Sequence, residues 1–336
     1  MNTSDDTHYL ISCTTYYPRF KHAHSAIESA LTQICSCKYS VHLYLARADV
    51  IKNGGIIPSK IENLTKKGLK IFIVEEDFLV HNKYVHALRG HPEKTIITID
   101  DDIIYPNDFL DRLIQKSYQF PGCIVCFRGH FLSFDEKGKL LPYNLTINRR
   151  LDNYKRHLPS LCLLPTGVSG VLYPPASLHE IAVDNNLFMA LSPHADDIWL
   201  KAASLLRGTL CVQIGNRNVL FPTTPGTQVI SLAQANVAYG ENDRQLEACF
   251  SRYPELLEKI RADDERLSDI CRIPKIEVFL DSRLMTIKRK LLAKPQVIML
   301  LQRLINSFRT VKSVFVVFLR KRADLVQSRS NKDENQ

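Results

Sequence analysis

A chain of 336 residues with 45% hydrophobic residues is long enough to bury one large core, alone or with an appended segment. Its polar, acidic start at residues 1–6 is not that of a secretory signal, and no apolar run reaches the roughly 18 residues of a membrane-spanning helix. Eleven of the 44 basic residues and no acidic residue lie at 283–322, which leaves 33 basic against 35 acidic residues elsewhere. The body is therefore nearly neutral, and the net charge of +9 comes from the C-terminal segment.

Residues 8–127 alternate between strand and helix patterns. The predicted strands are 8–15, 41–46, 69–74, 95–100 and 123–127, and the predicted helices are 22–34, 58–67, 83–89 and 106–118. This alternation predicts a parallel sheet covered by helices, an architecture typical of nucleotide-binding proteins. The chain contains no G-x-G-x-x-G or Walker motif, which excludes the usual dinucleotide-binding and P-loop classes.

After residue 128 the pattern loosens into longer loops that contain several prolines. Loops of this kind often shape a substrate site on a rigid scaffold. A helix is predicted from Asp196 to Leu206, ending before Gly208, and another at 243–259. Trp199 is predicted to lie in the core, since it follows the start of this helix among apolar neighbours.

Three consecutive aspartates, Asp100, Asp101 and Asp102, follow the predicted strand at 95–100. Buried carboxylates repel one another, and a divalent cation is the usual remedy because Mg²⁺ and Mn²⁺ prefer oxygen ligands. In extended backbone Asp100 and Asp102 point the same way, so one can contact a nucleotide while the other reaches a metal. The alternative is a solvated acidic loop.

The cysteines give no clear metal signature. Cys123 and Cys126 have C-x-x-C spacing, but they lie in an apolar, strand-like run without a second pair. They are predicted to be core thiols and not a zinc or redox site. The odd total of nine cysteines favours a reducing, cytoplasmic compartment.

At the three aspartates the chain resembles nucleotide-sugar glycosyltransferases of the GT-A fold, whose DxD element follows a central strand. Residues 12–20, Ser-Cys-Thr-Thr-Tyr-Tyr-Pro-Arg-Phe, are similar to an S-x-T-T/S-Y-P-x-R segment of bacterial glycosyltransferases that resemble family 2. The segments at 83–84, 165–174, 195–199 and 242–246 also occur in the order found in that family. The resemblance covers residues 8–250, most of the chain.

The resemblance implies an α/β fold of the GT-A type, with a Rossmann-like, mostly parallel sheet flanked by helices. It also implies transfer of a sugar, with inversion, from a nucleotide-diphosphate donor, in the first place a UDP-sugar. Thr14 and Tyr16 would lie near the base, Asp100 near the ribose and Lys83 near the diphosphate, and the cofactor would be Mn²⁺ or Mg²⁺. The implied donor-binding residues are Thr14, Tyr16, Arg19, Lys83, Asp100 and Asp101, and the implied metal ligands are Asp102 and Asp100.

Asp196 and Asp197 resemble the acidic pair that supplies the catalytic base in inverting enzymes of this fold. Asp196 has the alternative role of capping the helix that follows it, and Lys83 that of an ordinary surface lysine. Arg19 is interpreted either as a phosphate contact or as a surface charge at a helix start. His194 is interpreted as structural in preference to a metal ligand or second base.

Gly167 and Gly170 are interpreted in one of two ways. They allow the backbone to approach a ligand closely, or they only form a tight turn. The sequence does not decide between the two interpretations.

The resemblance divides the chain into a GT-A catalytic domain at 1–255, with a nucleotide-binding half at 8–127 and an acceptor half at 128–255. Residues 256–336 would form a helical, basic C-terminal extension and a disordered tail. For the basic segment at 283–322 we favour attachment to an anionic membrane surface over a solvated helical extension or oligomer contact. Nucleic acid is not an expected partner, since no nucleic-acid-binding module is present.

The resulting expectation is a cytoplasmic enzyme, peripheral at the inner face of the membrane. It would act on a glycan or lipid-linked acceptor in surface polysaccharide or lipopolysaccharide biosynthesis. One alternative is a Mg²⁺-dependent phosphohydrolase with a strand-terminal aspartate nucleophile, although in that class the motif normally follows the first strand. The other is a non-catalytic scaffold that binds nucleotide and membrane.

Overall fold

The computed structural model describes residues 8–225, 227 and 240–274, apart from 136, 148 and 150, together with scattered residues between 276 and 287. The basic segment predicted to bind membranes lies outside the described residues beyond position 287. None of the described helices is long and apolar enough to cross a membrane.

The described strands form a seven-stranded sheet and a separate antiparallel pair. Their bounds are β1 Tyr9–Thr14, β2 Tyr39–Ala46, β3 Leu69–Val74, β4 Thr95–Thr98, β5 Ile124–Cys126, β6 Gly129–Phe131, β7 Leu163–Pro165, β8 Val171–Tyr173 and β9 Cys211–Gln213. The large sheet has the order β3-β2-β1-β4-β8-β5-β9, and β6 pairs with β7. Within the large sheet only β8 runs antiparallel to its neighbours, so the predicted mostly parallel fold class is confirmed.

Helices cover both faces of this sheet. Their bounds are α1 His24–Leu31, α2 Arg47–Lys52, α3 Ser59–Glu62, α4 Asn82–Gly90, α5 Phe109–Gln119, α6 Tyr143–Thr146, α7 Asp152–Lys155, α8 Asn185–Leu191, α9 Asp196–Arg207, α10 Glu241–Arg252 and α11 Glu255–Cys271. On one face Ile11 of β1 packs in a cluster with Ile27 of α1, and on the other Leu10 packs with Ala87 of α4. Neighbouring strand residues point to opposite faces, so β1 is buried on both.

The prediction of a single helix at 243–259 is wrong, because the structure has the two helices α10 and α11 there. Pro254 has no amide hydrogen for a helical bond, and it pushes the preceding Tyr253 out of helical geometry, to φ −130° and ψ 68°. The second helix packs its residues Leu256 and Ile260 into the main core. The domain division at residue 255 stays a prediction.

Cys123 and Cys126 are free, buried thiols, as predicted for residues of the core. Cys35 and Cys37 are joined by a disulfide, which the expectation of a reducing compartment did not anticipate.

The topology brings several loops to one edge of the sheet. β1 leads to β2 on one side and lies beside β4 on the other, so the strand order reverses between β1 and β4. In open α/β sheets ligands bind at such a reversal, beyond the carboxyl ends of the strands. β8 begins at the same edge, because Val171 lies opposite Thr98 in the antiparallel β4–β8 pair.

Candidate active site

β4 ends at Thr98, and Asp101 and Asp102 lie in a turn that the surrounding residues hold in place, so the extended backbone predicted from Asp100 to Asp102 is wrong. The amide of Asp100 donates to the hydroxyl oxygen of Tyr105 at 2.9 Å, and the carbonyl of Asp102 accepts from the amide of Thr224 at 2.7 Å. Asp101 and Asp102 are only 6% and 9% exposed. The alternative of a solvated acidic loop is therefore wrong for these two residues.

Arg19 neutralises two of the three carboxylates from the end of β1. Its guanidinium lies 2.5 Å from Oδ1 of Asp101 and 3.3 Å from Oδ2 of Asp102. Thr15 donates its hydroxyl to the other oxygen of Asp101 at 2.6 Å. Arg19 is buried, so its interpretation as a surface charge is wrong, and its contact with a donor phosphate stays a prediction. Asp101 has both oxygens engaged and ties the end of β1 to the turn after β4.

Lys83, in the first turn of α4, links the end of β4 to the start of α9. Its Nζ lies 2.9 Å from Oδ1 of Asp100 and 2.7 Å from Oδ2 of Asp196. The residue is 7% exposed, so the alternative of an ordinary surface lysine is wrong. Burial alone lowers the pKa of Lys83, but the surrounding carboxylates raise it well above its ordinary value. Lys83 therefore stays charged at every physiological pH.

The acidic pair lies in the first turn of α9, where the helix dipole favours negative charge. The helix begins after Ala195 without a side-chain cap, so Asp196 does not cap the helix and pairs with Lys83 instead. Burial raises the pKa of Asp196, and Lys83 opposes that shift. The helix also confirms two other predictions, since it ends at left-handed Gly208 and buries Trp199 completely.

Asp197 differs from Asp196 in its surroundings. Its Oδ1 accepts a hydrogen bond from the amide of Gly167 at 2.9 Å, and the residue as a whole is partly exposed while Asp196 is buried. Burial, and then the charge of Asp196, raises the pKa of Asp197 to about 7. A carboxylate with a pKa near neutrality at a partly exposed position is suited to accept a proton.

Gly167 lets the backbone lie close to the side chains of Lys83 and Asp197 inside the site. A Cβ atom at this position would lie 2.8 Å from Nζ of Lys83 and 3.1 Å from Oδ1 of Asp197. At Gly170 the backbone has a φ of +81°, and a Cβ atom would lie 2.4 Å from the ring of Phe109. The first glycine therefore serves the charged cluster, and the second serves the turn into β8.

We expect Gly167→Ala to destabilise the protein by about 1–3 kcal/mol, because overpacking forces Lys83 out of its two ion pairs. Urea unfolding of the variant measures this cost. The matched control is Gly90→Ala, where a Cβ atom meets nothing within 4 Å and φ is ordinary. Equal stability of the two variants would contradict the close packing around Gly167.

The residues predicted to lie near the donor base follow β1. Thr14 donates its hydroxyl to the carbonyl of Tyr44 at 2.8 Å. Tyr16 is partly exposed beside Arg19, whose guanidinium lies 5.6 Å from the centre of the Tyr16 ring. His194 has an exposed side chain, and its backbone amide donates to Gln245 at 2.8 Å. The roles of Thr14 and Tyr16 in binding a base stay predictions.

Asp100 and Asp102 stay the predicted ligands of a divalent cation, which would complete its coordination with ligands from a bound molecule. Burial, and then the charge of Asp100, raises the pKa of Asp102 to about 6, although Arg19 opposes the shift. A cation beside Asp100 and Asp102 would relieve this repulsion. Within the described part of the chain no three His, Cys, Asp or Glu residues converge on a metal position. Mg²⁺ is commonly bound by one or two carboxylates together with substrate phosphates, which matches this pair.

Sequence reasoning missed the residues that hold the charged side chains in place. Thr15 fixes Asp101, and Tyr105 fixes the backbone of Asp100. Arg128 donates to the hydroxyl of Thr166 at 2.6 Å, next to Gly167. Thr15 belongs to the segment that carried the family resemblance, but nothing in the sequence pattern distinguishes Tyr105 or Arg128 from other residues.

Comparison with known proteins gives matches among solved structures alone. No family model matches the chain, and no curated protein matches it. A fragment of S. aureus TarS, residues 1–349, is 12% identical with a TM-score of 0.40, and the match covers 74% of this chain and 71% of the fragment. The mannosyltransferase PcManGT from Pyrobaculum calidifontis, solved with GDP-Man and Mn²⁺, is 12% identical with a TM-score of 0.45. The match covers 87% of this chain and 84% of the mannosyltransferase.

Glucosyl-3-phosphoglycerate synthase from Mycobacterium tuberculosis, solved with Mg²⁺ and UDP, is also 12% identical, with a TM-score of 0.41. That match covers 72% of this chain and 79% of the synthase. At this identity and with TM-scores below 0.5, the donor, metal and acceptor of these proteins are not transferred to this chain. Its function is inferred from its own residues.

Proposed function

We propose that this protein is a metal-dependent glycosyltransferase of the GT-A type. It transfers a sugar from a nucleotide-diphosphate donor, in the first place a UDP-sugar, to a glycan or lipid-linked acceptor. The observation that carries the proposal is the cluster in which Lys83 joins Asp100 of the donor side to Asp196 of the acidic pair, at the strand-order reversal. A parallel sheet that presents carboxylates and buried cations at this edge suits a charged nucleotide ligand.

In this proposal the residues after β1 and β4 bind the donor. Asp102 and Asp100 would hold the Mn²⁺ or Mg²⁺ ion, which would neutralise the diphosphate leaving group. Lys83 and Arg19 add positive charge close to the same position, and both are held by ion pairs before any ligand arrives. Preformed charges of this kind stabilise developing negative charge without reorganisation.

Asp197 is the proposed catalytic base. Gly167 fixes one of its oxygens, and its partial exposure leaves the side chain accessible to an acceptor hydroxyl. The base takes the hydroxyl proton while the acceptor oxygen attacks the anomeric carbon and the diphosphate leaves. A single displacement of this kind inverts the configuration at that carbon. Asp196 keeps Lys83 in place and does not itself accept the proton.

The proposed setting is surface polysaccharide or lipopolysaccharide assembly at the cytoplasmic face of the membrane. It is supported by the family resemblance and by the basic segment at 283–322, whose charge suits an anionic lipid surface.

We expect Asp102→Asn to weaken metal-dependent nucleotide binding at least about tenfold, because it removes a charged ligand of the cation. Calorimetric titration of UDP, GDP and CMP, each with and without Mn²⁺, measures this and identifies the donor base. The matched control is Asp108→Asn, a carboxylate whose side chain is 63% exposed on the same stretch of chain. Mn²⁺-dependent binding that survives in Asp102→Asn would refute the metal role, and binding of no nucleotide would favour the phosphohydrolase alternative.

A further inference from the structure

β3 lies at one edge of the large sheet. Among the described strands it pairs with β2 alone, so the backbone N–H and C=O groups of its other edge meet no described strand. The strand reads Leu-Lys-Ile-Phe-Ile-Val, and Phe72 and Ile73 are each 40% exposed. An apolar strand of this length at a sheet edge is a template for pairing with a further strand.

Charges of opposite sign flank the two ends of β3. Lys66 and Lys67 come just before the strand, and Glu75 and Glu76 follow it directly. All four residues are exposed. If two copies of β3 pair in antiparallel fashion, the basic end of each strand meets the acidic end of the other. A parallel pair would bring like charges together, so the charges favour a second copy of this chain in the antiparallel arrangement.

Two of these charged residues also have a partner within the chain. Lys67 pairs with Glu28, and Glu75 pairs with Arg47, each at 2.6 Å. Exposed ion pairs of this kind contribute little to stability, since solvent screens them. They therefore leave the field at each end of β3 available to a second copy.

The alternation of side chains limits the register of such a pair. A two-fold axis perpendicular to the sheet keeps each face on its own side, so only residues separated by an even number of positions can lie opposite each other. An axis through Ile71 meets this condition. Phe72 then lies opposite Lys70 of the second copy, and Ile73 lies opposite Leu69. Both exposed apolar side chains thus gain a cross-strand contact.

We infer that β3 pairs with β3 of a second copy of this chain, antiparallel and about a two-fold axis near Ile71. The pair joins the two seven-stranded sheets into one continuous sheet. The contact uses the same surface of both copies and closes on itself, so it gives a dimer and not a filament. This inference goes beyond the proposed reaction, since β3 contains none of the residues assigned to donor binding or transfer.

The test is sedimentation velocity of the full chain over a series of protein concentrations. We expect the unaltered protein to dimerise. One double variant is Lys66→Glu, Lys67→Glu, and the other is Glu75→Lys, Glu76→Lys. Each is expected to raise the Kd of the dimer at least about tenfold, because like charges then meet at both ends of the paired strands. When the two variants are mixed, they are expected to pair with each other, since acidic ends again meet basic ends.

The control double variant is Lys137→Glu, Lys139→Glu, which makes the same change of charge at exposed positions outside the large sheet. It is expected to dimerise like the unaltered protein. A protein that is monomeric at every concentration would overturn the inference. Double variants of the β3 flanks that dimerise unchanged, or that do not pair when mixed, would also overturn it.

Circular dichroism of each variant checks that it is folded. If a charge variant is unfolded, the second variant is Ile73→Thr, which keeps a β-branched side chain and removes apolar surface at the edge. It is expected to raise the Kd of the dimer about threefold, because the contact with Leu69 of the second copy is weakened. An unchanged Kd in Ile73→Thr would place the dimer contact elsewhere on the surface.

Discussion

Asp197→Asn is expected to lower the rate of sugar transfer by about 10²–10⁴-fold while donor binding changes by less than about twofold. The amide keeps the size of the side chain and can still accept the hydrogen bond from Gly167, but it cannot take a proton. Transfer is measured with the donor identified by titration, and binding is measured by calorimetry on the same preparation. A variant that loses donor binding as much as turnover would show that Asp197 binds the donor and is not the base.

The pH dependence of sugar transfer is a second test of Asp197 as the base. With a pKa of about 7 in the ligand-free protein, Asp197 is protonated in acid, so kcat/KM is expected to rise through pH 7 to a plateau. Since this pKa is raised above the ordinary 3.8, the unfolded chain loses its proton first as the pH rises. This residue therefore lowers folding stability progressively between about pH 4 and 7, and Asp197→Asn removes both effects.

Asp196→Asn is the informative comparison. The two carboxylates are neighbours in one helix turn, but only Asp196 pairs with Lys83. We expect this change to weaken donor binding and stability, since Lys83 loses one of its two partners. The low-pH decline in kcat/KM is expected to persist because the base at Asp197 remains, but to move to lower pH because the charge of Asp196 no longer raises the pKa of Asp197. If Asp196→Asn abolishes that decline and Asp197→Asn does not, the assignment of the base is reversed.

The sequence predicted those features that local pattern determines. The strand at 69–74 agrees with β3 residue for residue, because an apolar run begins directly after Gly68, whose φ of 98° ends the preceding turn. The helix at Asp196 also agrees, since the left-handed Gly208 ends it at the predicted place. Both signals are short-range and depend on few residues.

The rest depends on tertiary pairing that no local pattern encodes. The antiparallel β8 has three residues, which is too short for a recognisable period, yet it brings Gly167 to the carboxylates. The ion pair from Lys83 to Asp196 spans 113 positions of sequence, and only the folded sheet places the two together. Predicting the charged residues was therefore possible, whereas predicting which cation pairs with which carboxylate was not.

Lys83→Met is expected to destabilise the protein by about 3–5 kcal/mol, because it leaves the buried Asp196 and the partly exposed Asp100 without their counter-charge. Methionine approximates the length of the lysine stem, so the cost comes mainly from Asp100 and Asp196, which lie 2.9 and 2.7 Å from Nζ. Urea unfolding measures the change. The control is Lys67→Met, which breaks the surface pair with Glu28 at 2.6 Å and is expected to cost no more than about 1 kcal/mol.

The double variant Lys83→Met, Asp196→Asn separates the charge of Lys83 from its packing. Neutralising the partner removes the uncompensated carboxylate, so the double variant is expected to be more stable than Lys83→Met by about 0.5–3 kcal/mol. Donor binding should not recover with stability, since the positive charge beside Asp100 is still missing. Recovery of both would mean that Lys83 serves only the fold, and additive costs without any recovery would mean that the ion pair with Asp196 contributes nothing.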